Sequence, residues 1–465
     1  MAGINFSGLA SGIDTEGLLK ATTDATRNTR VKPLQRKVDE YTDTNDSLEE
    51  LRTLLDSAQS KARDLSSVFG GPLQKLAATS DETVLTASAS NAASNGSYSL
   101  TVSQLAKNAT MSLYDSGSPY SGSTSTLPTT GTVTITVGAS PGGTPVPVNV
   151  AVVGSTTTLA DFVSSFNTAA TTAGAGAVAS VVNVGSTTAD YRIVINSTNT
   201  GTGKGQLALT TPVAGIDDST LSAATDATFT LSGVGAISRS TNSISDVIPG
   251  VTFNLAATSA TPVTVNVSDD VAGTTAKVSE FVEAYNEVVQ YIAENNQITR
   301  EQNGNNVSNT FGTLSKTRVD DNVLSQIRSA ISSTKYEDGE EVRILADLGI
   351  TTQRDGTLKF DSTTFSSALS KEPTSVNAVL QTFGDTIGLT GGTIDLYTRF
   401  GGLFDTTING NKSQIDNLND RIALIEEQIL RTEASMRARF ARLESSVGRM
   451  QNQQGALTSA IAQLG

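Results

Sequence analysis

Eight apolar residues stand seven apart toward the C-terminal end of the chain: Ile415, Ile422, Ile429, Met436, Leu443, Met450, Leu457 and Leu464. Residues at that spacing share one side of an α-helix, so the run predicts a single long helix whose apolar stripe needs another helix to cover it. The companion positions begin as Leu418 and Ile425 and then turn polar at Thr432, Arg439, Ser446 and Gln453. Phe440, Val447 and Ile461 displace the stripe sideways, which predicts that the helix changes packing partner along its length.

A second heptad lies near the other end. Leu34, Tyr41, Leu48, Leu55 and Ala62 repeat at sevens, with Leu51, Ala58 and Leu65 filling the second seam position, and Gly70, Gly71 and Pro72 set the expected stop. One stripe of buried side chains is a small gain against the entropy of ordering so many residues. Both ends are therefore expected to be mobile in the monomer and to order on assembly. The seam positions are the expected subunit or filament interface. Phe6, Leu9, Ile13, Leu18 and Leu19, spaced through the opening "INFSGLASGIDTEGLL", form the expected N-terminal assembly segment.

Between these flanks the composition changes. No glutamate occurs between Glu82 and Glu280, and short β-prone runs such as "YSLTVSQL", "GTVTITVG", "VPVNVAVV", "YRIVINS" and "TPVTVNV" alternate with Gly, Ser, Thr and Pro turns. One helical interruption, "TLADFVSSFNTAA", places Leu159, Phe162, Val163 and Phe166 on one face. Beyond Glu280 the helical pattern returns in "SEFVEAYNEVVQYIAENN", with Phe281, Val282, Tyr285, Val288, Val289 and Ile292 on its apolar side. "LGITTQRDGTLKFDSTTFSSAL" predicts a hairpin turning at Asp355 and Gly356, then a helix capped near Ser362 or Thr363.

The expected fold is α+β and multidomain: long coiled-coil termini and a helical leg domain flank an inserted pair of β-rich head domains. The expected boundaries are 1–35 with 406–465 for the terminal coiled coil and 36–80 with 275–405 for the leg. The inner head takes 81–119 with 241–274, and the outer head, with one helix, takes 120–240.

Chemistry is sparse. The chain carries 32 basic against 46 acidic residues, a net charge of −14, which argues against a nucleic-acid groove. It has no Cys, His or Trp, so thiolate sites and the commonest general base and metal ligand are missing. "GTGKG" at 201–205 lacks the glycine and hydroxyl of a phosphate loop, and the segment around Asp355 lacks calcium-loop ligands. The adjacent acids Asp217/Asp218, Asp269/Asp270 and Asp320/Asp321 have the pattern of solvated turns. Arg431, Arg437, Arg439 and Arg442 among Glu426, Glu427, Glu433 and Glu444 predict a mixed-sign helix face or inter-subunit salt bridges. No enzyme and no cofactor are expected. No apolar run is long enough for a membrane span, and the first 25 residues lack the basic and apolar regions of a cleaved secretory signal.

The opening "FSGLASGIDTEGLLKA" is similar to the start of the flagellar hook-associated protein 2 family, the flagellar filament capping proteins. "YSLTVSQLAKNATMSL", "VIPGVTFNL", "FVEAYNEV", "LGITTQRDGTLKFD" and "RMQNQQGALTSAIAQL" resemble further recurring stretches of that family, in the same order. The resemblance implies a structural assembly protein, exported by the flagellar type III route without signal cleavage, that caps the filament outside the cell and promotes insertion of flagellin. It implies a ring of about five or six copies. Other implied partners are flagellin, the hook-filament junction protein and an export chaperone at the C-terminal helix. Rival readings are another axial protein, such as a flagellin or junction protein, and a tip adhesin binding host mucin or glycans through the β head.

Overall fold

The computed structural model describes the chain except residues 1–11, 13, 139–144, 212, 214, 215, 304, 305, 340 and 463–465. Two compact units divide it: Met1–Val68 joined with Thr275–Gly465, and Phe69–Thr274. The first is helical and made from both ends of the chain; the second is a β-rich insertion.

From Thr15 to Asp64 the helical unit is continuous helix: α1 (Thr15–Thr26), a five-residue π-helical segment (Arg27–Val31), and α2 (Lys32–Asp64). Asp14 caps α1 by accepting the Gly17 N–H at 2.8 Å. Leu48, Leu51, Leu55, Ala58 and Ala62 of α2 are buried in an uninterrupted face. The helix ends at Asp64, ahead of the glycines that were expected to stop it.

The insertion holds β1 (Lys75–Thr79), β2 (Leu85–Ala89), β3 (Gly96–Gln104), β4 (Thr110–Tyr114), β5 (Gly131–Val137) and β6 (Val146–Val152). Helix α3 (Leu159–Ala173) follows, then β7 (Ala177–Asn183), β8 (Tyr191–Ser197), β9 (Leu207–Thr211) and β10 (Asp217–Ser222). The unit closes with β11 (Ala227–Leu231), β12 (Gly235–Arg239), β13 (Ser243–Ile248), β14 (Val251–Leu255) and β15 (Val263–Asp269). The sheets are β1-β15-β3-β11-β12, β10-β4-β8-β7, β13-β14-β2 and β6-β5-β9, with antiparallel pairing throughout.

Alternation along these strands builds two cores. One draws on Leu85, Leu100, Val102, Phe229, Phe253 and Val265, from both ends of the insertion. The other lies within residues 109–216 and includes Met111, Ile135, Val150, Phe162, Phe166 and Ile195. Helix α3 lays Leu159, Phe162 and Phe166 over β6 and β7, and a capping box between Thr158 and Asp161 fixes its start. "GTGKG" occupies a turn after β8, where the Thr202 N–H donates to Asp226 Oδ1 at 2.7 Å.

The chain returns to the helical unit through α4 (Val271–Asn295), a hairpin of β16 (Ile298–Asn303) and β17 (Asn306–Phe311), and α5 (Val319–Ser333). A small hairpin of β18 (Ile350–Thr352) and β19 (Leu358–Phe360) turns at Asp355 and Gly356. Then come α6 (Ser362–Lys371), α7 (Pro373–Gly388), α8 (Asp395–Thr398) and the 60-residue α9 (Leu403–Ala462). The cap of α6 is Asp361, one residue ahead of the expected position, accepting N–H groups of Thr363 and Thr364.

Apolar faces of α2, α4, α5 and α7 meet in one core, with Phe281 set edge-on to Phe383 at 4.8 Å between ring centres. Gly384 lets α7 approach the end of α2: a Cβ there would lie 2.5 Å from the Leu65 carbonyl carbon. Asp320 departs from expectation. It is fully buried at the start of α5, whereas adjacent acids were expected in a solvated turn.

Candidate assembly surface on the helical unit

Helix α9 spans about 90 Å at 1.5 Å per residue, longer than any partner its own unit offers. Its first half packs along the N-terminal helices. The Arg52 guanidinium meets Asp405 at 2.8 Å, Asn411 Nδ2 donates to Asn45 Oδ1 at 2.8 Å, and Arg27 Nε meets Glu426 at 3.0 Å. Later residues of one helix contact earlier residues of the other, so the pair is antiparallel from α2 through α1.

The seam residues divide into three groups along this pair. Leu48 and Leu55 are fully buried in the unit's own interior, and Leu34 and Tyr41 are half-buried. On α9, Leu418 and Ile429 are buried, while Ile415, Ile422, Ile425 and Met436 are half-buried. Leu443, Met450 and Leu457 are exposed, at 44, 66 and 63 %. Leu464, Phe6, Leu9 and Ile13 lie outside the described residues. Leu19 is buried against α9 and its neighbour Leu18 faces solvent.

Coverage of the stripe therefore fades along the helix. Up to Met436 it is held by α2, the π segment and α1; beyond it Leu443, Met450, Leu457 and Ile461 stand open and Val447 is half-buried. A stripe of this length with one end uncovered is suited to a helical neighbour outside the unit.

Charge changes along the helix with no sharp boundary: Asp405, Asp416, Asp420, Glu426 and Glu427 precede Arg431, Arg437, Arg439, Arg442 and Arg449, but Lys412 and Arg421 lie among the acids and Glu433 and Glu444 among the arginines. Glu427–Arg431 and Glu433–Arg437 pair within the helix at i,i+4, so part of the basic face is a solvated mixed-sign surface. At the α2–α4 contact, Lys61 and then Lys277 hold the Glu280 carboxyl below its ordinary range, and Asp64 raises Lys277.

The contact of α1 with α9 is lean. Its buried residues are Thr15, Leu19 and Thr23, a single large apolar side chain worth about 1.5–3 kcal/mol. Thr22, Thr23 and Thr26 face Ile429, Thr432 and Met436 across a gap of about 110 Å³. The π segment, the Arg27–Glu426 pair and the Asn45–Asn411 hydrogen bond were not foreseen. Heptad counting passes over a local change of helical phase, and a polar pair between distant helices has no signature in spacing.

Among the described residues no cluster of three or more acidic side chains could hold a metal ion, and no helix is long and apolar enough to cross a membrane.

Segments from both sides of the β insertion in sequence thus build one helical unit, the architecture of a multidomain α+β protein with coiled-coil-like termini. Two models of the flagellar hook-associated protein 2 family match the chain, the N-terminal one over residues 11–109 and the C-terminal one over 224–452, together more than half of it. The A-type flagellar hook-associated protein 2 of Pseudomonas aeruginosa is 28% identical over 98% of this chain and 97% of its own length. The flagellar hook-associated protein 2 of Escherichia coli O157:H7 is 25% identical over 96% and 95%. The fold is similar to that of the flagellar cap protein FliD from Escherichia coli. That match has a TM-score of 0.57 and 22% identity, and covers 80% of this chain and 99% of that one. The chain belongs to the flagellar hook-associated protein 2 family.

Proposed function

We propose that this chain is a subunit of the cap at the distal end of a bacterial flagellar filament, where copies assemble as a ring and promote insertion of exported flagellin. The observation that carries the reading is the stripe on α9, buried at Ile429 and open at Leu443, Met450 and Leu457. Its distal half acquires neighbours only when the protein meets other copies and the filament below it. Distributed contacts of this kind are released and remade one at a time, as a cap that moves with a growing tip requires.

The same segment is available to an export chaperone before assembly and to flagellin or the junction protein afterwards. The work is binding and ordering, with no covalent chemistry. The chain acts outside the cell after export without signal cleavage. Family membership supports the cap over a bulk filament subunit or an adhesin.

The test is to add purified protein to growing filaments that lack a cap. Growth should resume, with the protein confined to the tip. Incorporation along the whole filament, or no recovery, overturns the proposal.

A further inference from the structure

We propose that α1 is an exchangeable strap: it lies on its own α9 in the isolated chain and on the α9 of a neighbouring copy in the assembly, pivoting at the π segment Arg27–Val31. The inference rests on the reading of the chain as a self-assembling cap.

Helical phase supplies the first observation. Thr15, Leu19 and Thr23 form the buried side of α1, and Val38 is the first residue of α2 buried on the continuing side. Thr23 and Val38 are fifteen positions apart, whereas four α-helical turns take about 14.4 residues. The wide turn at Arg27–Val31, where the Lys32 N–H bonds back five residues to Arg27 O, absorbs the surplus. If that turn tightened toward ordinary α-helix, the strap face would rotate by about 60° off its own α9, with a kink left at Pro33.

Pro33 is the second. It has no N–H to close the preceding turn, and its ring crowds the carbonyl four residues back, at Thr29. The helix is weakest beside the place where its phase changes, which makes the segment an element with two discrete arrangements.

The third is the lean contact. One leucine, a row of threonines around a small gap, and three part-exposed or exposed polar contacts, Glu16–Arg437, Arg27–Glu426 and Arg30–Gln428, hold α1 and the π segment in place. The occupant of the vacated surface is a second copy, because its α1 carries the complement already built here. Exchange of an identical element needs no new interface, only a pivot.

The chain has no cysteine, so a Thr26→Cys/Gln428→Cys variant carries one unique pair across this contact. Equal amounts of ¹⁵N-labelled and unlabelled variant are mixed as dilute monomer, assembled, linked with a short bismaleimide and digested, and the linked peptides are weighed. The dilute monomer should give same-mass links only, and the assembly mixed-mass links as often as same-mass ones. Deletion of Asn28 removes the surplus residue, so fourteen positions nearly match four α turns; it should abolish mixed-mass links. Same-mass links alone in an assembly of normal size overturn the exchange and leave the cap reading standing. Mixing unchanged by the Asn28 deletion overturns the pivot. Failure of the undeleted variant to assemble, read by sedimentation, overturns the ring reading and the exchange together.

Discussion

The Tyr285 hydroxyl of α4 donates to the Gly356 carbonyl oxygen at 3.1 Å, in a buried position that ties the central helix to the tip of the β18–β19 hairpin. Gly356 has φ of +89°, and a Cβ on it would collide with the Arg328 guanidinium packed beneath. Tyr285→Phe should lower stability by about 1–2 kcal/mol. Gly356→Ala, which adds a side chain to a left-handed residue and displaces the arginine, should cost more, roughly 2–4 kcal/mol. Urea denaturation of the two variants gives the order directly; equal losses would place the function of the turn elsewhere.

Asp320 is fully buried. One carboxylate oxygen accepts from Thr317 Oγ1 at 3.1 Å and the other has no hydrogen-bond partner among the described residues. Burial raises its pKa from the ordinary 3.8. A carboxyl raised in the folded state favours folding most when protonated, and that contribution is lost as pH rises through the folded-state value. Asp320→Asn should therefore stabilise the protein at pH 7 by on the order of 1 kcal/mol, with the advantage shrinking as pH falls toward about 4. Thermal melts across that range check the slope.

In the β unit, burial, followed by the charges of Asp115 and Asp217, pushes Tyr120 from 10.0 up to about 12. The neutral phenol is favoured by folding, so its contribution is intact below about pH 10 and is lost as pH rises from there toward 12. Tyr120→Phe should flatten the fall in stability across that window, measured by chemical denaturation at fixed pH steps.

Substitutions at two positions separate folding from assembly on α9. Ile429→Ala, at a buried site, should cost about 2–4 kcal/mol, and Leu457→Ala, at an exposed one, less than about 0.5 kcal/mol. Leu457→Asp should leave the monomer's melting unchanged while weakening association in sedimentation experiments. Undiminished association would remove the distal stripe from the interface.

Periodicity made much of this architecture legible. The run from Phe281 to Ile292 formed the helix and buried face its spacing predicted, and the β-prone runs became strands because alternation is a local signal. The hairpin of β16 and β17 escaped notice because "ITREQN" and "NVSNTF" are polar and lack alternation. The burial of Asp320 has no signature in the sequence, because a neighbouring acid says nothing about which side of a helix each occupies. The turn at Arg27–Val31 was invisible for a related reason: it adds a fraction of a turn, which a search for repeats at seven treats as noise.

The β insertion leaves and re-enters through adjacent strands. Lys75 of β1 pairs with Asp269 of β15 in register and by their charges, Gln74 N–H donates to Thr274 Oγ1 at 2.9 Å, and Asp270 N–H donates to Gln74 O at 2.8 Å. Opposed residues on such strands lie about 5 Å apart, so the insertion closes on itself like a plug with both pins on one side. The chain is thereby open to transplantation: a foreign domain with equally close ends can replace residues between these pins, turning the helical frame into a carrier for displayed cargo.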